Sequence, residues 1–359
     1  HYPLRRQRQM CIRDSPKGRA VLIGAIERSK LIYTLNRDAD ANLTISSPLE
    51  ANRPTAIVQC IVGVDVGYEN PVFASLETDY ADADADPTGE ALARTEKRLT
   101  YYELDLGLNH VVRRWTEPVD RSAHHLISVP GGYNYSTEAW DGPSGVLVCI
   151  DDYIVYRHPD QPPHIVPIPV RENASIHRGS MIVASVLHKM KTSFFLLVQN
   201  EDGDLFKVTV EHDEEQVKAV RIKYFDTVPV AASLCILRSG YLFVASDSGS
   251  QRLYAFEKLG DDDDEPEYLS TSHDGTIPTF VPRPLGNLML AHEIEALDPL
   301  MDAKIGNPLG SDVPQIYAAC GRGPRSTFKR LRHGLEVSEV VSSELPGVPQ
   351  AVWLSLIHI

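Results

Sequence analysis

Three aspartates alternate at Asp82, Asp84 and Asp86, the spacing with which a calcium-binding loop begins. Such a loop needs glycine at its sixth position and a bidentate glutamate at its twelfth. Those places hold Pro87 and Ala93, so the run reads as a solvated acidic loop. Residues 261–265, five acids in succession, read the same way. His292-Glu293 lacks the second histidine of a zinc-protease helix, and His124-His125 has no metal-ligand spacing. Gly142-Pro143-Ser144-Gly145 is a turn and not the Gly-x-Ser-x-Gly of a nucleophile elbow. The run from Cys320 through Arg322, Gly323 and Arg325 to Ser326 is glycine-rich, but lacks the Gly-Lys-Ser/Thr ending that grips a triphosphate. No set of residues for catalysis, cofactor or metal is left. What remains is a basic cluster, Arg322, Arg325, Lys329, Arg330 and Arg332, in an acidic chain. It is either a strand-end turn with exposed cations or a contact for an acidic partner.

The background sharpens that choice. The chain has 359 residues, with 49 Asp and Glu against 35 Lys and Arg, a net charge of −14. A general duplex-binding surface is therefore disfavoured, and direct nucleic-acid contact is expected to be minor or absent. No apolar run is long enough for a membrane helix. Five scattered cysteines without a C-x-x-C exclude a zinc ribbon and a dense disulfide framework, and fit a reducing compartment. Asn42, Asn134 and Asn173 open glycosylation sequons by pattern alone.

Both ends look foreign. Residues 5–15 read as one frame of the standard transposase sequencing adaptor, and residues 354–359 as its reverse complement. On this reading 1–15 and 354–359 are adaptor-derived, with 1–15 disordered. The native segment then runs from about Pro16 to Trp353 as a piece of something longer. Setting aside Arg5, Arg6, Arg8, Arg13 and Asp14 makes its charge more negative still.

Positioning any surface falls to short apolar runs, many β-branched or aromatic. They include residues 20–26, 55–62, 99–104, 146–155, 193–199 and 217–225. Lys207-Val208-Thr209-Val210 and Arg252-Leu253-Tyr254-Ala255-Phe256 alternate with the period of a half-buried strand. Glu201-Asp202-Gly203-Asp204 predicts a tight type I′ hairpin turn. Residues 91–98 and 291–300 could each hold a helical turn, 161–169 reads as a proline-dense extended linker, and 133–142 as a polar aromatic loop. The strand–turn cadence starting near Met181 repeats near Ala231, a blade-like period. The expected fold is all-β: a truncated β-propeller of WD40-like blades, each with four antiparallel strands, about six or seven in the segment.

Several strings then become recognisable. They are Val62-Gly63-Val64-Asp65-Val66-Gly67-Tyr68-Glu69-Asn70-Pro71, the stretches 44–51 and 102–113, Lys223-Tyr224-Phe225-Asp226-Thr227-Val228-Pro229, the acidic run at 259–267, and 320–326 with 331–339. Across 16–353 the sequence resembles the splicing factor 3B subunit 3 family. The resemblance implies a scaffold of three β-propellers, with most of the first in 16–333 and the opening strands of the second in 334–353. It implies a nuclear, non-enzymatic subunit of the SF3b complex of the U2 snRNP, serving branch-site recognition and spliceosome assembly in pre-mRNA splicing. The implied partners are the HEAT-repeat subunit, small SF3b subunits and the rest of the spliceosome. Its rivals are a sister adaptor of the same superfamily, of the cullin ubiquitin-ligase, damaged-DNA-binding or polyadenylation-factor type, and a propeller hydrolase. The loop at Tyr133–Trp140 is longer than the family norm.

Overall fold

The computed structural model describes residues 12–332 and 334, apart from 27–28, 39, 52–54, 68, 135–137, 173–178, 191–192, 262–264, 309, 311–312 and 323–325. The chain divides into two compact units, His1–Ala296 and Leu297–Ile359. That division precedes the boundary expected near Gly334.

The first unit is a series of antiparallel sheets in chain order. The first sheet holds β1 (Ile12–Asp14), β2 (Ala20–Ile26), β3 (Ser29–Arg37), β4 (Leu43–Ile45) and β5 (Leu49–Ala51), with β3 pairing both β4 and β5. The second holds β6 (Ala56–Val64), β7 (Val72–Asp79), β8 (Lys97–Asp105) and β9 (His110–Val119). Between β7 and β8 lie two single-turn helices, α1 (Ala81–Ala85) and α2 (Glu90–Arg94). The third joins β10 (His125–Ser128) to β13 (Val146–Ile150), β14 (Tyr153–His158) and β15 (Gln161–Pro167), after a separate hairpin of β11 (Gly131–Asn134) and β12 (Ala139–Pro143). The short β16 (Val170–Arg171) pairs in parallel with a later strand, β25 (Thr279–Phe280). The fourth sheet is β17 (Ile182–Lys189), β18 (Phe194–Asn200), β19 (Asp204–Asp213), β20 (Gln216–Thr227) and β24 (Tyr268–Leu269). The fifth is β21 (Ala231–Leu237), β22 (Tyr241–Ser246), β23 (Gln251–Phe256) and β26 (Leu288–Ile294). The second unit contributes one three-stranded sheet, β27 (Leu300–Gly306), β28 (Gln315–Cys320) and β29 (Thr327–Leu331).

These are propeller blades, as the sequence cadence predicts. The first strands sit side by side, β1 and β10 each against β6, and β17 against both β10 and β21. Four apolar cores fill the gaps between successive sheets. A strand buried on both faces feeds two of them through its two-residue period. Phe194, Leu196 and Val198 of β18 pack toward the third sheet, while Phe195 and Leu197 pack toward the fifth. Tyr101 and Tyr102 of β8 divide the same way between the third and first sheets. Each such fully buried side chain contributes about 1.5–3 kcal/mol.

Several expectations need correcting. Ile12–Asp14, expected to be disordered, pair antiparallel with β2, whose edge offers unpaired N–H and C=O groups to an extended segment. Residues 1–11 and 354–359 lie outside the described residues, as do 335–353, where the opening strands of a second propeller are expected. The run 146–155 is two strands, broken at Asp152, which turns with φ +66°. The proline-dense 161–167 is no linker: it is β15, the edge strand of its sheet, where missing N–H donors cost little. The stretch 291–300 holds no helical turn, because β26 continues through Ile294 and β27 starts at Leu300. The acidic run at 82–86 is partly helical, and the described ends of the expected loop at 133–142 lie in the paired strands β11 and β12. Between β18 and β19 only Gly203 has positive φ, so the turn is not type I′. It is closed instead by the Asn200 side chain, whose Oδ1 accepts from Asp202 N and Asp204 N.

Candidate partner-binding surfaces

The basic cluster is spread over one strand and its flanks. Arg322, Arg330 and Arg332 are exposed, and Arg325 lies outside the described residues. On β29, Arg330 pairs in register with Tyr317 and Lys329 with Ala318. Adjacent strand residues face opposite ways, so the sheet separates Lys329 from Arg330. Phe328, on the Arg330 side, is 74% exposed and stacks on Tyr317 at 6.0 Å.

The Tyr224-Phe225-Asp226-Thr227 string is a structural junction. Asp226 is fully buried and accepts from Gly286 N, Asn287 N and Leu288 N at 2.8–2.9 Å and from the Arg283 guanidinium at 2.6 Å. Arg283 also binds Glu265 at 2.8 Å, and Lys207 pairs with Asp261. Both ends of the acidic run at 261–265 are thereby anchored. A second buried carboxylate, Asp204, takes both oxygens' bonds from Arg171 at 2.8 Å and accepts from the Thr227 hydroxyl at 2.7 Å. These bidentate and multiply bonded carboxylates offset their own desolvation.

The histidine pair serves packing. His124 places Nδ1 2.9 Å from Ser122 O and Nε2 3.0 Å from Ile182 O, and His125 Nε2 lies 3.1 Å from Ser185 Oγ. Both therefore tie the third sheet to β17. Burial, with His124 adding, pushes the His125 pKa down to about 4. Between the first and second sheets, Lys30 is buried with Nζ 3.4 Å from Glu77 Oε1 and 5.4 Å from the Tyr102 ring centre, while Glu77 Oε2 accepts from the Tyr102 hydroxyl.

Of the calcium-like aspartates, Asp86 caps its own turn, accepting from Thr88 N, Thr88 Oγ1 and Ala91 N. Those hydrogen bonds, the Thr88 hydroxyl's first, lower its pKa. Among the described residues, no three His, Cys, Asp or Glu side chains converge to hold a metal ion. Gly142 and Pro143 end β12, and Ser144 and Gly145, both with positive φ, make the link to β13.

One surface escaped the sequence reading. The β8–β9 turn carries Leu106 and Leu108 into solvent. Two leucines flanking Gly107 within a polar turn were the available signal.

A family model described as the RSE1/DDB1/CPSF1 first beta-propeller matches residues 5–291. A relative named pre-mRNA-splicing factor RSE1, from Mycosarcoma maydis, is 64% identical over 354 residues, covering 95% of this chain. Relatives named splicing factor 3B subunit 3 are 55% identical in Danio rerio and 51% in Drosophila melanogaster, covering 96% and 94% of this chain. The chain spans 29%, 28% and 27% of the lengths of these relatives. The resemblance read from the sequence therefore stands, and the all-β propeller fold with it. The chain belongs to the RSE1/DDB1/CPSF1 first-β-propeller family.

Proposed function

We propose that this chain is part of a non-catalytic scaffold of the pre-mRNA splicing machinery. The observation that carries the reading is the 64% identity over 354 residues to a pre-mRNA-splicing factor. In its finer form, the scaffold belongs to the SF3b complex of the U2 snRNP, works in the nucleus, and supports branch-site recognition and spliceosome assembly. It does so by holding the HEAT-repeat subunit and small subunits through protein–protein contacts. Stacked blades with four packed inter-sheet cores suit that role, because they present loops and edges on a rigid frame. The buried carboxylates found here are consumed by arginines and backbone N–H groups that lock blades together. Arg322, Arg330 and Arg332, exposed at the chain's last described sheet, offer contacts for an acidic partner, with Lys329 on the opposite face of β29 from Arg330.

Conditional depletion of the full-length protein tests this reading. Introns should be retained transcriptome-wide, with early assembly stalled at stable U2 addition, and the wild-type gene should restore both. Unchanged splicing with stabilised ubiquitin-ligase substrates, or with defective polyadenylation, would favour the sister adaptors that share the family model.

A further inference from the structure

β23 and β26 are hydrogen-bonded neighbours in the fifth sheet, yet the chain between Phe256 and Leu288 does not turn directly from one to the other. It crosses to the fourth sheet, where β24 pairs antiparallel with β20. It then reaches β16, with which β25 pairs in parallel, and returns. This strap is fastened in two different ways. Its second half is pinned by aromatic packing. Phe280 is buried, stacks on Tyr224 at 4.4 Å and meets Phe206 edge-on at 5.6 Å. Val170 N and Glu172 N donate to Pro278 O and Phe280 O at 2.9 and 3.0 Å.

The first half is held mainly by charge. Lys207 and Lys223 stand opposite each other in register on β19 and β20, and both are buried. Like charges in that position repel, and a buried ammonium needs an anion beside it. The strap brings anions to both. Lys207 Nζ donates to Leu259 O at 2.7 Å and to Asp261, while Glu267 Oε1 lies 3.9 Å from Lys223 Nζ and Glu267 Oε2 accepts from Arg221 at 3.1 Å. These carboxylates face water, Asp261 being 68% and Glu267 40% exposed. Tyr268, half-buried, is the apolar contact of this half with the core. Backbone ties to β20 are short: β24 has two residues, and beyond it Ser270 N donates to Val220 O at 2.9 Å. Salt screens exposed ion pairs and leaves buried aromatic contacts in place. A segment with few buried contacts also opens by itself at low cost.

We propose that the first half of the strap is a salt-sensitive latch, which opens while Phe280 keeps the second half docked. Opening frees the edge of β20 at Arg221 and Ile222. A bare strand edge offers backbone N–H and C=O groups to another extended chain, so the latch gates that edge. The inference stands independently of the splicing reading. Hydrogen exchange of the full-length protein tests it, read by mass spectrometry in peptides containing Ser270 or Glu172, at about 0.05 and about 0.5 M sodium chloride. Exchange at Ser270 should quicken at least about fivefold with salt, while exchange at Glu172 stays within about twofold. The double variant Asp261→Asn, Glu267→Gln should exchange fast at Ser270 already at low salt and lose the salt dependence, with Glu172 protected as in the wild type. Equal responses at Ser270 and Glu172, a Ser270 rate that salt leaves unchanged, or a wild-type Ser270 rate in the double variant would each overturn the proposal.

Discussion

Lys189 Nζ lies 2.7 Å from Asp65 Oδ2, across 124 positions of sequence. Lys189 ends β17 in the fourth sheet, and Asp65 follows β6 in the second. The pair therefore reaches past the third sheet and ties the ends of two first strands. Asp65 is buried and Lys189 partly exposed, so the pair is partly screened. A double-mutant cycle with Lys189→Met and Asp65→Asn should give a coupling of about 1 kcal/mol, shrinking with added salt. Zero coupling at low salt would show that the pair is incidental.

The Asp226 junction should be the costliest polar site to break. Asp226→Ala leaves the Arg283 guanidinium and the Gly286, Asn287 and Leu288 N–H groups without their acceptor. A loss of about 3–5 kcal/mol in urea denaturation is expected. Asp82→Ala, in a solvated run, should stay within about 0.5 kcal/mol.

Gly132 marks where backbones meet. A Cβ there would sit 2.2 Å from Gly67 N, and φ is +86°. Gly132→Ala should therefore destabilise by more than about 2 kcal/mol. Gly240→Ala, with φ +84° and open space around it, should cost only about 1–2 kcal/mol, the left-handed backbone penalty alone. Equal costs at the two sites would contradict the close approach.

His125 gives a pH signature. Its pKa falls from 6.5 to about 4 on burial. Between those values the unfolded chain holds a proton that the folded chain excludes, so stability rises with pH and is complete above about 6.5. Acidifying through the window should remove about 3 kcal/mol. Urea midpoints measured against pH should show this slope, and His125→Gln should flatten it.

Much of this was legible in the sequence because apolar runs and turn residues set strand cadence directly. The strand–turn cadence from Ala231 and the alternation at 252–256 predict consecutive strands, and these are β21, β22 and β23. The misreadings have local causes. Proline at 162 and 163 looked like a linker because edge position is a tertiary fact that sequence period does not encode. The run 146–155 looked continuous because the turn at Asp152 needs no glycine there. The basic cluster looked like one patch because linear proximity hides strand alternation, which sends Lys329 and Arg330 to opposite faces. The exposed leucines of the β8–β9 turn were missed because exposed leucines resemble core residues until burial is known.

Affinity purification of the full-length protein with quantitative mass spectrometry tests the proposed scaffold role in splicing most directly. SF3b subunits and U2 snRNP proteins recovered in near-stoichiometric amount are the predicted result. A cullin or cleavage-and-polyadenylation set in their place would contradict it.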